Sequence, residues 1–171
     1  MVMRASSGDF GSNRKEASID GSIVCGVDGS ADSQAALAVA ARMADRLETR
    51  LVLAHVVEYV QASYATTGAM GAGAMSWPLT STLDEQEEAG ERLLAQMADE
   101  AGLDQAERRL ASGFPAERLA DLADEEEAEL IVVGSRGRGA FKAAFLGSVS
   151  TSLIGVARCP VLVVPPGISQ R

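Results

Sequence analysis

The sequence predicts an α/β fold: an open parallel sheet of five strands with helices on both faces. Two observations predict it. Short, nearly continuous apolar runs alternate with segments of helical periodicity, and the first, fourth and last runs stop at Asp28-Gly29, Gly134 and Pro165. Repeated strand–helix–strand units imply right-handed crossovers and a mainly parallel sheet.

The first strand is Ser22-Ile23-Val24-Cys25-Gly26-Val27-Asp28, an apolar run that ends at Asp28-Gly29-Ser30. Ser30 or Asp32 can cap the helix that follows, where Leu37, Ala40, Ala41, Ala44 and Leu47 recur at helical spacing. Leu51 to Val57 reads as a second buried strand, with His55 inside it. From about Glu58 to Thr82 the chain holds Gly68, Gly71, Gly73 and Pro78, too Gly-rich and too long for regular structure, as functional or disordered loops are. A helix from about Leu83 to Ala101 places Ala89, Leu93 and Met97 four apart on one face, and Gly102 can end it.

Glu107 to Ser112 is a polar strand suited to a sheet edge. Pro115 stands where the first turn of a helix tolerates it, and Leu119, Leu122 and Ala123 form that helix's inner face. Asp124 to Glu127 reads as its solvated end. Leu130 to Val133 is a buried strand ending at Gly134, a last helix spans about Ser148 to Ala157, and Val161-Leu162-Val163-Val164 closes the sheet before Pro165-Pro166. A domain over 21–166 is expected, between a disordered tail (1–20) and a short C-terminal tail (167–171).

Composition narrows the function. The 171 residues suit one domain. Aromatics are only 4%, so the core must be built from Ala, Val, Leu and Ile. The net charge of −9 disfavours general adhesion to nucleic acid or to an anionic bilayer. Cys25 and Cys159 have no paired-ligand spacing, which argues against a disulfide framework or a zinc site and for a reducing compartment. No run of eighteen apolar residues exists, and the first twenty residues lack a signal-peptide core, so a cytoplasmic location is expected.

The chemistry concentrates where two strands end. Gly134-Ser135-Arg136-Gly137-Arg138-Gly139 follows a buried strand, and Gly147-Ser148-Val149-Ser150 opens a helix. Gly134 and Gly137, without Cβ, allow positive φ and close approach to a bulky anion. A helix start offers unpaired N–H groups and a positive dipole end, and the Ser148 and Ser150 hydroxyls add donors. Residues 134–171 carry Arg136, Arg138, Lys142, Arg158 and Arg171 and no acid, so all 24 acids lie before Gly134. These features together make a phosphate cradle; taken singly, each is equally a surface turn or a capped helix. Asp28 shares that ambiguity, since it can cap a turn or accept from a ribose hydroxyl or an adenine amine. With strand order 3-2-1-4-5, Asp28 and Gly134 face one crevice at the point where the winding reverses.

Gly134-x2-Gly137-x9-Gly147-Ser148 resembles the ATP-binding signature of the universal stress protein family. Gly26-Val27-Asp28-Gly29-Ser30, His55-Val56 and Pro160 to Val164 match that family's pattern in the same order, so the resemblance covers about residues 20 to 166. It implies an adenine-nucleotide α-hydrolase-like fold with ATP, accompanied by Mg²⁺, at the switch point. Carried over, Val27, Asp28 and Val56 would hold adenine and ribose. Val133, Gly134, Arg136 and Gly137 would line the ribose and first phosphates, and Gly147, Ser148, Val149 and Ser150 the outer ones. The long tail and the loop near 60–82 depart from the pattern.

A regulatory, stress-responsive ATP-binding module is therefore expected, with no catalytic residue and no protein-held metal. The alternative is a slow ATPase or nucleotidyl-transfer enzyme, against which stand the missing P-loop lysine and the absence of a clear base in the motif. A third reading is a protein-interaction module with vestigial nucleotide binding. His55, the one histidine, reads as structural, and the cysteines as small apolar residues. Met70, Met75 and Trp77 could pack over the site or against a partner. The short apolar strand Val161–Val164 leaves an edge that invites a second copy, and the resemblance implies a homodimer through it.

Overall fold

The central strand of the sheet is fully enclosed, and its two neighbours carry the elements that matter for function. A computed structural model describes residues 21–58, 83–137 and 146–167. Strands β1 (Ser22–Gly26), β2 (Arg50–Glu58), β3 (Glu107–Gly113), β4 (Ala128–Gly134) and β5 (Val161–Val164) form one sheet in the order β3-β2-β1-β4-β5. Every pairing is parallel. Helices α1 (Ala31–Leu47), α2 (Leu83–Glu100), α3 (Pro115–Glu125) and α4 (Ser148–Val156) alternate with the strands. The predicted class, strand order and element sequence are those observed. The expectations for the first twenty residues, for the loop beyond Glu58 with Met70, Met75 and Trp77, and for Arg138 and Lys142 lie outside the described residues.

Pleating sends alternate side chains of the inner strands to opposite layers. Ile23, Cys25, Leu53 and Val132 pack beneath α1 and α2, against Ala36, Leu37, Ala40, Leu94 and Met97. Val24, Val52, Ala54, Ile131 and Val133 pack on the other face against Leu119, Leu122 and Ala123 of α3 and Leu153 of α4. The small aliphatic core matches the shortage of aromatics.

Ser30 is the cap of α1: its Oγ accepts the Ser33 N–H at 3.2 Å, whereas Asp32 lies inside the first turn. Leu47, expected on the inner face, is exposed, because the helix turns left-handed at Glu48 (φ 51°) and leaves the core. The inner face of α2 is also offset from expectation. Gly90, Leu94, Met97 and Ala98 are buried, Leu93 is half-buried and Ala89 is exposed. A strict four-residue repeat drifts around a 3.6-residue helix, and the inward face includes position 90, where only glycine fits because a Cβ would meet Leu110 Cδ1 at 2.6 Å and His55 Cδ2 at 3.1 Å.

Asp124 to Glu127 is not simply a solvated end. Glu126 is half-buried and accepts from Arg109 Nε at 2.6 Å and Arg50 Nη1 at 3.4 Å, while Asp124 accepts from Arg158 Nη1 at 2.6 Å. Arg50 and Arg109 also hold Glu107 at 3.1 Å and 2.8 Å. These charges clamp the end of the sheet opposite the crevice. They also stud β3, the polar edge strand that the sequence led one to expect.

Candidate functional site

β1 and β4 are adjacent and run the same way, with Gly26 in register with Val133, so the segments that leave their carboxyl ends meet. After β1, Val27 donates its N–H to Ala54 O at 2.8 Å, and the chain turns at Gly29, which has a φ of +79°. That left-handed turn suits glycine. Asp28 Oδ1 accepts the Ser30 N–H at 2.9 Å, fixing the carboxylate over the turn. His55 Nδ1 lies 2.7 Å from Val27 O. Because a carbonyl only accepts, that nitrogen carries the proton, and the histidine ties β2 to the exit of β1 while also lining the cavity described below.

After β4 the backbone presses against α1. A Cβ on Gly134 would lie 2.7 Å from the Asp32 carbonyl carbon and 2.9 Å from Ser33 N. A Cβ on Gly137 would lie 2.6 Å from Asp28 Oδ2. Neither glycine adopts the positive φ that the sequence suggested; among the described glycines that conformation belongs to Gly29, Gly102, Gly113 and Gly167. Gly134 and Gly137 are therefore required for closeness to neighbouring groups rather than for backbone handedness.

Ser135 joins these parts. Its N–H donates to Val164 O at 2.9 Å, its Oγ donates to Asp32 Oδ2 at 2.9 Å, and its carbonyl accepts the Gly147 N–H at 2.7 Å. Arg136 Nε also donates to Asp32 Oδ2, at 3.2 Å. Gly147 is the N-cap of α4, and no side chain caps that helix end. The first N–H groups of a helix, here those of Ser148, Val149 and Ser150, have no intrahelical acceptor and sit at the positive dipole end. The Ser150 hydroxyl, expected to be an added donor in the cradle, points inward instead, to Gly147 O at 3.1 Å and Ser135 O at 3.3 Å. At this site Ser150 has its main-chain N–H to offer.

Val27, Asp28, Val56, Val133, Gly134, Arg136, Gly137, Gly147, Ser148, Val149 and Ser150 all line one cavity of about 840 Å³. That volume is within the range of small-molecule sites. Apolar Val27 and Val56 stand on the β1–β2 side, and glycine main chain and the α4 start on the β4 side. The wall continues onto α2 through Gln86, Gly90 and Leu93, and onto α3 through Pro115 and Leu119. Sequence reading passed over these helix residues, because only packing brings them to the crevice. It also passed over Ser135, and it weighed Asp32 only as a cap. The spacing of Asp32 four residues beyond Asp28 was the available signal.

No group of three or more His, Cys, Asp or Glu among the described residues is placed to hold a metal ion. Nor is any described helix long and apolar enough to cross a membrane. Burial pushes the Cys25 thiol up to about 12, and partial burial together with the Asp124 charge raises that of Cys159, so both stay protonated thiols.

The model of the universal stress protein family matches residues 21–165. A universal stress protein of Thermus aquaticus is 34% identical over 143 residues, covering 83% of this chain and 96% of that relative. One from Mycolicibacterium smegmatis is 35% identical over 150 residues, 84% of this chain but 45% of the relative. The chain thus spans about half the length of that protein and of several mycobacterial relatives. Among solved structures, universal stress protein UspA from Lactobacillus plantarum shares the fold, with a TM-score of 0.66 at 24% identity over 84% of this chain and 97% of that one. A universal stress protein solved in complex with cAMP has a TM-score of 0.60 at 27% identity, covering 86% of this chain and 98% of its own.

Proposed function

The chain belongs to the universal stress protein family, and from that membership we propose that it binds ATP and serves as a nucleotide-dependent regulatory or stress-response module. One observation carries the reading: Asp28, the main chain of 134–137 and the N-terminus of α4 converge on a single cavity. The relative solved with cAMP supports an adenine nucleotide as the ligand class.

Val27 and Val56 offer an apolar slot for adenine, while Asp28 accepts from a ribose hydroxyl or the adenine amine. Val133, Gly134, Arg136 and Gly137 line the ribose and the first phosphates. Ser148, Val149 and Ser150 offer their N–H groups to the outer phosphates, with Gly147 keeping the approach open. Mg²⁺ would be carried on the phosphates, with waters completing its shell, as this ion commonly is. In this reading the cradle binds and orients the nucleotide.

Calorimetry with ATP and Mg²⁺ on wild type and on a Gly137→Val, Gly147→Val double variant tests the reading. Binding by the wild type and its loss in the variant are expected. Equal affinity in the two proteins overturns the cradle.

The same proposal extends to assembly. β5 is an edge strand whose Val161, Leu162 and Val163 are only half-buried, and a second copy pairing there would cover them. Light scattering at micromolar concentration should give a dimer mass; a monomer mass contradicts the pairing.

A further inference from the structure

The geometry points to Asp32 as a positioning residue for the phosphate half of the cavity: its carboxylate, through Ser135, sets the main chain of 134–137 and the start of α4 in one fixed relation. The inference rests on the nucleotide-binding reading above and goes beyond it. It concerns a side chain that need not touch the ligand.

Asp32 is 8% exposed, and a carboxylate so buried is costly unless its oxygens are partnered. Oδ2 accepts from Ser135 Oγ at 2.9 Å and from Arg136 Nε at 3.2 Å, so one oxygen holds two consecutive residues of the loop. Ser135 passes the constraint on. Its carbonyl accepts the Gly147 N–H at 2.7 Å and the Ser150 hydroxyl at 3.3 Å, the two residues that bracket the first turn of α4. The chain of contacts therefore runs from the first turn of α1, through the loop, to the helix end whose N–H groups meet the phosphates. Gly134 makes this possible, since any side chain there would collide with the Asp32 backbone.

Arg136 is the second consequence. With Nε committed to Asp32, its planar fork is held in one orientation, and its terminal amino groups have no partner among the described residues. A phosphate met by a pre-oriented guanidinium costs less ordering than one met by a free side chain. Asp32 thus orients the cation without removing it from the site.

The test compares ATP with adenosine, which shares the base and ribose but has no phosphate. Affinities of both are measured by calorimetry for the wild type, Asp32→Asn, Ser135→Ala and the double variant. Asp32→Asn keeps the shape but lets an amide N–H face the Arg136 donor, while Ser135→Ala removes only the hydroxyl. The expected result is a loss of about tenfold in ATP affinity for each single variant. Adenosine affinity should stay within about twofold of wild type, and the double variant should lose less than the product of the singles. An equal fall for ATP and adenosine, as general loosening would cause, overturns the proposal, and so does unchanged ATP affinity. If Asp32→Asn does not fold, Ser135→Ala decides by the same split. A wild type that binds neither ligand overturns the nucleotide reading itself, and the positioning role with it.

Discussion

A Cβ built on Gly137 would lie 2.6 Å from Asp28 Oδ2, so the glycine loop after β4 and the carboxylate after β1 share a space that a methyl group could enter only by displacing Asp28. Asp28 cannot swing away freely. Its other oxygen accepts the Ser30 N–H at 2.9 Å, and rotating the carboxylate would give up that bond.

Gly137→Ala should therefore weaken ATP binding while leaving the fold intact. A loss of about tenfold, or ~1.4 kcal/mol, is expected from displacing Asp28. Calorimetry gives the affinity, and a thermal melt within a few degrees of wild type shows that the change is local.

Gly134→Ala should do the reverse and strike at stability. Its added carbon meets backbone, 2.7 Å from the Asp32 carbonyl carbon and 2.9 Å from Ser33 N, and backbone of a capped helix cannot step aside cheaply. Overpacking of this kind costs about 1–3 kcal/mol. Urea denaturation should show a lower midpoint with an unchanged slope; a midpoint equal to wild type would mean that α1 yields.

Acid should weaken the clamp at the far end of the sheet. The hydrogen bond from Arg50 and the neighbouring charge of Arg109 hold the Glu107 carboxyl below its ordinary 4.5. A lowered carboxylate contributes stability above the ordinary range and loses it as pH falls through the folded value, so the loss belongs below about pH 4.5. Both partners are well exposed, which limits the contribution to about 1 kcal/mol or less. Melting temperatures of wild type and Glu107→Gln should differ at pH 7 and converge at lower pH. A constant difference across the range would show that the charge is not responsible.

The thiols should be slow to react. Cys25 is fully buried with its thiol pushed up to about 12, and Cys159 is half-buried with its own raised. At pH 8 the thiolate, the reacting form, is scarce at both. Iodoacetamide followed by mass spectrometry should label Cys159 slowly, and Cys25 only once urea opens the sheet. Prompt labelling of Cys25 in the native protein would place it nearer the surface than β1 does.

Much of the site could be read before any coordinates, and the misses share a cause. Asp28, Gly134, Gly137 and Gly147 were legible because turn and helix-start residues announce themselves locally. The direction of the Ser150 hydroxyl was not, because a serine in a first turn can either face a ligand or bond back to the carbonyl three residues before it, and the second acceptor that favours the inward choice, Ser135 O, lies 15 residues away. Asp32 read as a possible cap because its partners Ser135 and Arg136 are more than a hundred residues distant. The inward face of α2 was displaced for a similar reason: Gly90 is chosen by Leu110 and His55 on other elements.

By itself the sequence determined the alternation of strands and helices, the parallel sheet and the two chain exits where a ligand could sit. Those follow from hydrophobic period, caps and breakers, which act over a few residues. Only the tertiary structure decided which polar groups face the cavity and which are spent holding it. That choice depends on distance and burial between segments far apart in the chain, where a single oxygen of Asp32 can serve two donors and a glycine is needed for what lies beside it.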